Sequence, residues 1–271
     1  MKIYICALGI LLSALTCSKY AVQPTRNAYS PQGPAPENAK LPGEVLNLTN
    51  WKLTLPINTD ASVNPDEIKQ PVLNTYSNPD YFFTSKANNA VAFRANAGGA
   101  TTSGSNFPRS ELREMTDGGK KPAAWSSAEG THTLFIDQRI THLPDVRKHM
   151  VVGQIHDANK YVIFFRIEDK KLLVSVNGGA REVLDENYIL GTRFTVKMVV
   201  NNNTVKCYYN DLLKSTFDIV FNDAYFKAGA YVQSSCKGSK KTDGESCNAY
   251  GEVEIYNVWV KHEGIKTAET R

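Results

Sequence analysis

From residue 44 onward the chain alternates apolar and polar positions in short runs divided by turn residues. That is the period of β-strands, on which successive side chains point to opposite faces. The alternation runs through residues 51–56, 131–140, 161–167, 172–176, 194–200, 205–209 and 252–260. Turn chemistry punctuates it at Asp117-Gly118-Gly119, Asn177-Gly178-Gly179 and Asn201-Asn202-Asn203. Helical periodicity is scarce, and short helical turns are predicted only at residues 65–68 and 222–224. Many short strands at even spacing, without an internal repeat, predict an all-β domain of the β-sandwich or jelly-roll type.

Three alternating stretches carry candidate chemistry. The polar face of the third, residues 225–233, holds more hydrogen-bonding groups than a solvated strand face needs. The other two, taken alone, also fit solvated faces, with Glu111 pairing with its neighbours in one. In residues 225–233, Phe226, Ala228, Ala230 and Val232 fall on one face and Tyr225, Lys227, Gly229, Tyr231 and Gln233 on the other. Gly229 either relieves crowding or leaves room for a sugar ring to approach the sheet. In residues 109–115, Arg109, Glu111 and Arg113 share a face with Leu112 opposite. An Arg there can grip a carboxylate with two parallel hydrogen bonds, while Glu111 and the second Arg hold it in place. In Gln154-Ile155-His156 an amide and an imidazole share a face and Ile155 points into the core. His132, His142, His149 and His262 lack such neighbours and read as structural or surface residues. Side by side, the three polar strips would form a cationic, hydrogen-bonding platform for an acidic polymer.

Composition changes this picture little. The chain has 271 residues, 42% apolar and 21% charged, enough for one large domain. A net charge of +4 is compatible with an anionic ligand without requiring one. The N-terminus says more. Met1-Lys2 precedes an apolar run over residues 3–15, too short for a stable membrane span and right for the core of an export signal. Cys17 follows Ala14-Leu15-Thr16, which loosely resembles a bacterial lipoprotein box, so Cys17 is a lipidation candidate; the alternative is cleavage near Ser18 and release. The expected layout is an export signal over 1–17, a Pro/Gly/Ala/Asn/Ser-rich tether over 18–43 and a folded domain over 44–265. The expected location is secreted, periplasmic or lipid-anchored at the cell surface. Export permits disulfides. Cys236 and Cys247 bracket a polar loop that a bridge would staple, and Cys207 in its strand pattern reads as a buried free thiol. No Cys/His spacing suggests zinc, and the chain is read as a monomer with no nucleic-acid partner.

The three stretches resemble the signature regions of the alginate lyases of polysaccharide lyase family 7. Arg109 to Arg113 matches R-(S/T)-E-(L/V)-R, Gln154 to His156 matches Q-(I/V)-H, and Tyr225 to Gln233 matches Y-x-K-x-G-x-Y-x-Q. The resemblance covers roughly residues 44–262, with the motifs in the expected order. It implies a concanavalin-like jelly roll with an open substrate groove on one sheet, and cleavage of alginate by β-elimination. Arg109, Gln154 and His156 would neutralise the uronate carboxylate, and Tyr231 would protonate the departing oxygen. Tyr231 would also be the base on mannuronate, and His156 the base on guluronate. Lys227, Arg113, Gln233 and Tyr225 would bind neighbouring sugars or support the catalytic groups, and Glu111 would orient an Arg. Neither a cofactor nor a metal is implied. Within the family, Ile in the second motif is associated with accepting guluronate, so Ile155 leans toward guluronate or mixed blocks. Loops over residues 96–107 and 236–247 would decide endo or exo action.

Two rivals share the scaffold. A lyase for another polyuronate, such as glucuronan, would use the same chemistry with different subsite contacts. A non-catalytic alginate-binding module would have no reason to gather a Tyr, His, Gln and Arg. A glycoside hydrolase needs two carboxylates across the bond, and Glu111 and Glu114 lie on opposite faces of one strand.

Overall fold

The computed structural model describes residues 40–60 and 64–264. The stretch read as an export signal, Cys17 and most of the stretch read as a tether lie outside the described residues. Among the described residues, sixteen strands form two antiparallel sheets. They are β1 (Trp51–Thr54), β2 (Glu67–Ile68), β3 (Phe82–Thr84), β4 (Val91–Asn96), β5 (Arg109–Thr116), β6 (Lys121–Pro122), β7 (Thr131–His142) and β8 (His149–His156). The rest are β9 (Tyr161–Glu168), β10 (Lys171–Val176), β11 (Arg181–Asp185), β12 (Arg193–Asn201), β13 (Thr204–Tyr209), β14 (Leu212–Asp218), β15 (Tyr225–Val232) and β16 (Tyr250–Glu263). A nine-stranded sheet runs β11-β10-β9-β8-β15-β5-β1-β2, with β6 beside β5, and a seven-stranded sheet runs β14-β13-β12-β7-β16-β4-β3. This is a jelly-roll sandwich of two open sheets, as the strand pattern predicts.

The inward faces make the core. Leu53, Leu112, Ile155, Phe226, Ala228, Ala230 and Val232 of the larger sheet are all fully buried, as are Phe93, Leu134, Ile136, Val253 and Ile255 of the smaller. Every apolar position assigned to the core in the three motif stretches therefore points inward, which turns their polar faces outward together.

Two local expectations are corrected. Residues 65–68 form no helical turn: Glu67 and Ile68 are β2, paired with Thr54 and Leu53. Glu67 accepts from the Lys52 ammonium at 2.5 Å across the ladder. Nor do residues 222–224: Ala224 makes an isolated antiparallel bridge to Trp125. The helical structure lies elsewhere, in α1 (Pro42–Val45), which begins inside the stretch read as tether, and in a 3-10 turn over Val72–Thr75.

The histidines read as structural have more company than the sequence suggests. His262 Nε2 donates to Glu114 Oε1 at 2.5 Å, and its other ring nitrogen meets His132 at 2.7 Å. The second Glu114 oxygen accepts from Trp125 Nε1 at 3.1 Å and from the Phe226 backbone N–H at 2.8 Å. This buried cluster joins the two sheets where β15 begins. Glu114 is committed there, on the core side of its strand and away from Glu111.

Candidate active site

Antiparallel register assembles the site. In β5 and β15, Arg109 lies opposite Tyr231, Glu111 opposite Gly229 and Arg113 opposite Lys227. On the far side of β15, Lys227 lies opposite Gln154 of β8, and Tyr225 opposite His156. β1 adds Lys52 beside Arg113 and Thr54 beside Glu111. The three strips, at residues 109–113, 154–156 and 225–233 and so far apart in an extended chain, thus become one surface through two strand pairings.

A bulge aims Tyr231. Between Ala228 and Tyr231, two residues of β15 oppose one of β8, which bends a strand and re-aims its side chains. Gly229 sits in it at φ 138°. A Cβ there would lie 2.5 Å from the Ser110 carbonyl oxygen and 2.8 Å from the Glu111 Cα. Of the two sequence readings of Gly229, relief of crowding, here against the β5 backbone, is the one the geometry favours.

Glu111 is the hub. It is 1% exposed, and its carboxylate accepts from the Lys227 ammonium at 2.5 Å, the Gln154 amide at 2.5 Å and an Arg109 guanidinium N–H at 3.2 Å. Burial alone would push the Glu111 carboxyl up, but Lys227, Arg109 and the hydrogen bonds hold it below the usual carboxylate range. Burial, reinforced by Arg109, pushes Lys227 down to about 8, against the pull of Glu111. One carboxylate faces two cations, with the Arg113 guanidinium nearby, so the floor keeps an excess of positive charge for an anionic sugar.

The remaining groups are held by aromatic and backbone contacts. The Arg109 guanidinium lies 3.8 Å from the centre of the Tyr231 ring, and that of Arg113 lies 4.0 Å from the Tyr225 ring. His156 Nδ1 lies 2.6 Å from the Asp157 carbonyl and 3.1 Å from the Tyr225 hydroxyl. A carbonyl can only accept, so Nδ1 carries the proton and Nε2 keeps its lone pair. Burial pushes His156 down, with Lys227 and Arg109 adding to it against the Asp157 hydrogen bond and Glu111. The imidazole is therefore neutral near pH 7. These side chains line a groove of about 640 Å³ together with Lys52, Thr54, Ser105, Lys160 and Tyr161.

Residues 46–262 match the alginate lyase family model. The chain belongs to the alginate lyase family. A solved alginate lyase of polysaccharide lyase family 7, AlgAT5, is 51% identical, with 83% of this chain and 100% of that one covered and a TM-score of 0.78. Alginate lyase A1-II′, solved in complex with its substrate GGMG, is 26% identical over 84% of this chain and 99% of its own, with a TM-score of 0.71. An alginate lyase of Klebsiella pneumoniae is 41% identical over 76 residues, 27% of this chain and 24% of that enzyme.

In this lyase the residues singled out in the three motifs lie on the groove sheet, except Gln233, which follows the end of β15 and does not line the groove. Lys227 and Gln233 are buried, Arg113, Tyr225, His156 and Tyr231 are partly exposed, and Gln154 lies beneath, donating to Glu111. Lys52 and Thr54 were missed, although their polar face was visible in the alternation of residues 51–56. Ser105 carried no signal, being in a loop without period. The Cys236–Cys247 disulfide forms, Cys207 is a buried free thiol, and burial pushes that thiol up to about 12. Among the described residues no cluster of three or more His, Cys, Asp or Glu is placed to hold a metal ion.

Proposed function

We propose that this lyase cleaves alginate by β-elimination, and that the groove floor around Glu111 is its catalytic platform. The reaction removes the C5 proton, breaks the C4–O4 bond and leaves a C4=C5 double bond at the new non-reducing end. The C5 proton is weakly acidic because the adjacent C6 carboxylate is already negative, so charge must be neutralised where it develops. The observation that carries the proposal is the uncompensated positive charge: Glu111 offsets one of its two cation partners and leaves Arg109 facing the groove.

In this scheme Arg109, with Gln154 and His156, meets the C6 carboxylate. Tyr231 protonates O4 as the bond breaks. On guluronate, where the C5 proton and O4 lie on opposite sides, His156 is the base. Its neutral ring and free Nε2 lone pair suit that task. On mannuronate, where both lie on one side, Tyr231 serves in both roles. Arg113 and Tyr225 hold a neighbouring sugar, Gln233 supports the Tyr231 end, and Lys227 and Glu111 fix Arg109 and Gln154. The complex of A1-II′ with GGMG supports an alginate chain as the ligand.

Guluronate or mixed blocks are the proposed preference, resting on Ile155. That side chain is fully buried in the core, so it acts only by setting the backbone beneath Gln154 and His156. Export is also proposed, supported by the apolar run near the N-terminus and by a disulfide suited to an oxidising compartment. Incubation with purified poly-guluronate, poly-mannuronate and glucuronan tests the substrate. Cleavage creates a conjugated unsaturated uronate with new ultraviolet absorbance, expected for the two alginate blocks, fastest on poly-guluronate, and absent for glucuronan.

A further inference from the structure

We infer that Ser105 is a positioning residue for Tyr231, a hydroxyl that follows the tyrosine proton as it leaves and returns. This rests on the proposed role of Tyr231. Ser105 Oγ lies 2.9 Å from the Tyr231 hydroxyl. It also lies 3.1 Å from the Phe107 carbonyl oxygen, and it accepts from the Phe107 backbone N–H at 3.1 Å. A hydroxyl has one proton and two lone pairs. The Phe107 N–H occupies one lone pair in every state. When Tyr231 carries its proton, the phenol donates to the other lone pair and the serine proton turns to the Phe107 carbonyl. When Tyr231 has given its proton to O4, the serine proton swings to the phenolate oxygen. In both states the Tyr231 oxygen stays hydrogen-bonded to Ser105, and the two differ by rotation about one bond, the Phe107 carbonyl giving up the serine donor in the second. An anionic acceptor makes the second arrangement the stronger hydrogen bond.

The loop carrying Ser105 is tied down on both sides. Ala97 donates to the Ala249 carbonyl at 2.7 Å, Gly98 to Cys247 at 3.0 Å, and Cys236 to Ala97 at 3.2 Å. Beyond the tip, Ser239 Oγ donates to Asn106 Oδ1 at 3.1 Å. The two loops expected to shape the groove ends are therefore one unit, closed by the Cys236–Cys247 disulfide, and its product is a fixed hydroxyl at Tyr231. A Cβ on Gly98 would lie 2.8 Å from the Cys247 Cβ, so the loops meet without room for a side chain.

The test compares Ser105→Ala, Ser105→Thr and Tyr231→Phe in the full chain, by the absorbance assay on poly-guluronate and poly-mannuronate. Ser105→Ala is expected to lower kcat by roughly tenfold to a hundredfold, the loss of one hydrogen bond to a charged group. KM and Tm should stay close to the parent's, and Ser105→Thr, which keeps the hydroxyl, should restore most of kcat. Ser105→Ala added to Tyr231→Phe should change the residual rate less than twofold. A kcat for Ser105→Ala within twofold of the parent, beside an inert Tyr231→Phe, overturns this inference alone. So does an equal loss in Ser105→Thr, or a further tenfold loss in the double variant. An active Tyr231→Phe overturns both the inference and the mechanism beneath it.

Discussion

Replacing Glu111 by Gln keeps the side-chain volume and removes the charge on which the groove floor is built. The carboxylate is 1% exposed and holds Lys227 at 2.5 Å, Gln154 at 2.5 Å and Arg109 at 3.2 Å. The amide offers one acceptor where the carboxylate offered two, and its N–H₂ faces a donor on the other side. Removing one partner of a buried ion pair costs about 3–5 kcal/mol, because the other charge stays buried without compensation. Lys227 limits the loss, since burial has already pushed it down to about 8 and it can shed its proton. A loss near the lower bound, ~3 kcal/mol, is therefore expected. For a domain of this size that corresponds to a fall in Tm of roughly 6–12 °C. Glu111 is held below its ordinary value of 4.5, so its contribution is fully present above that pH and is lost as pH falls through the depressed folded value. Thermal unfolding across pH 3–8 reads both effects. The gap between Glu111→Gln and the parent should be full near pH 7 and narrow on acidification. A variant with parental Tm at pH 7, or a gap independent of pH, would refute the hub.

Three further outcomes are expected. Lys227 titrates near pH 8, so the groove loses a positive charge above it. KM for alginate should rise through that range in the parent and lack the step in Lys227→Gln, as steady-state kinetics at fixed ionic strength will show. Gly229→Ala forces a Cβ to within 2.5 Å of the Ser110 carbonyl at a positive φ. It should lower stability by about 1–3 kcal/mol and lower kcat by displacing Tyr231, a loss that denaturant melts and the absorbance assay measure together. Ile155→Val deletes one buried methylene and should cost about 0.5–1.5 kcal/mol. It should also shift the poly-guluronate to poly-mannuronate rate ratio toward mannuronate; an unchanged ratio would remove the role given to Ile155.

Much of the fold was legible because strands with one buried face print their period on the sequence. β7, β9, β12 and β16 follow their alternating runs, and the inward residues of all three motifs are in the core. The failures have physical causes. β14 is an edge strand, largely exposed on both faces, and so it shows no hydrophobic period. β4 is buried almost throughout and holds Arg94 by its ion pair with Glu252 at 2.6 Å, a pairing that local pattern cannot reveal. Pro65-Asp66-Glu67 has the composition of a helix start, yet the partners of β2 lie on β1, where Lys52 and Leu53 decide its conformation. The site was legible as three strips but not as a charge network. That Glu111 is the buried hub depends on the register of β5, β15 and β8, and that Ser105 reaches Tyr231 depends on a loop whose course is set by distant anchors at Cys247 and Ala249.

The most direct test of the central claim is the absorbance assay with Tyr231→Phe on defined poly-guluronate and poly-mannuronate. Loss of general acid catalysis is worth about 10²–10⁴ in rate. The parent should generate unsaturated ends on both blocks, and Tyr231→Phe should lose at least a hundredfold on both while keeping the parental Tm. A folded Tyr231→Phe that cleaves either block at close to the parental rate would contradict the account.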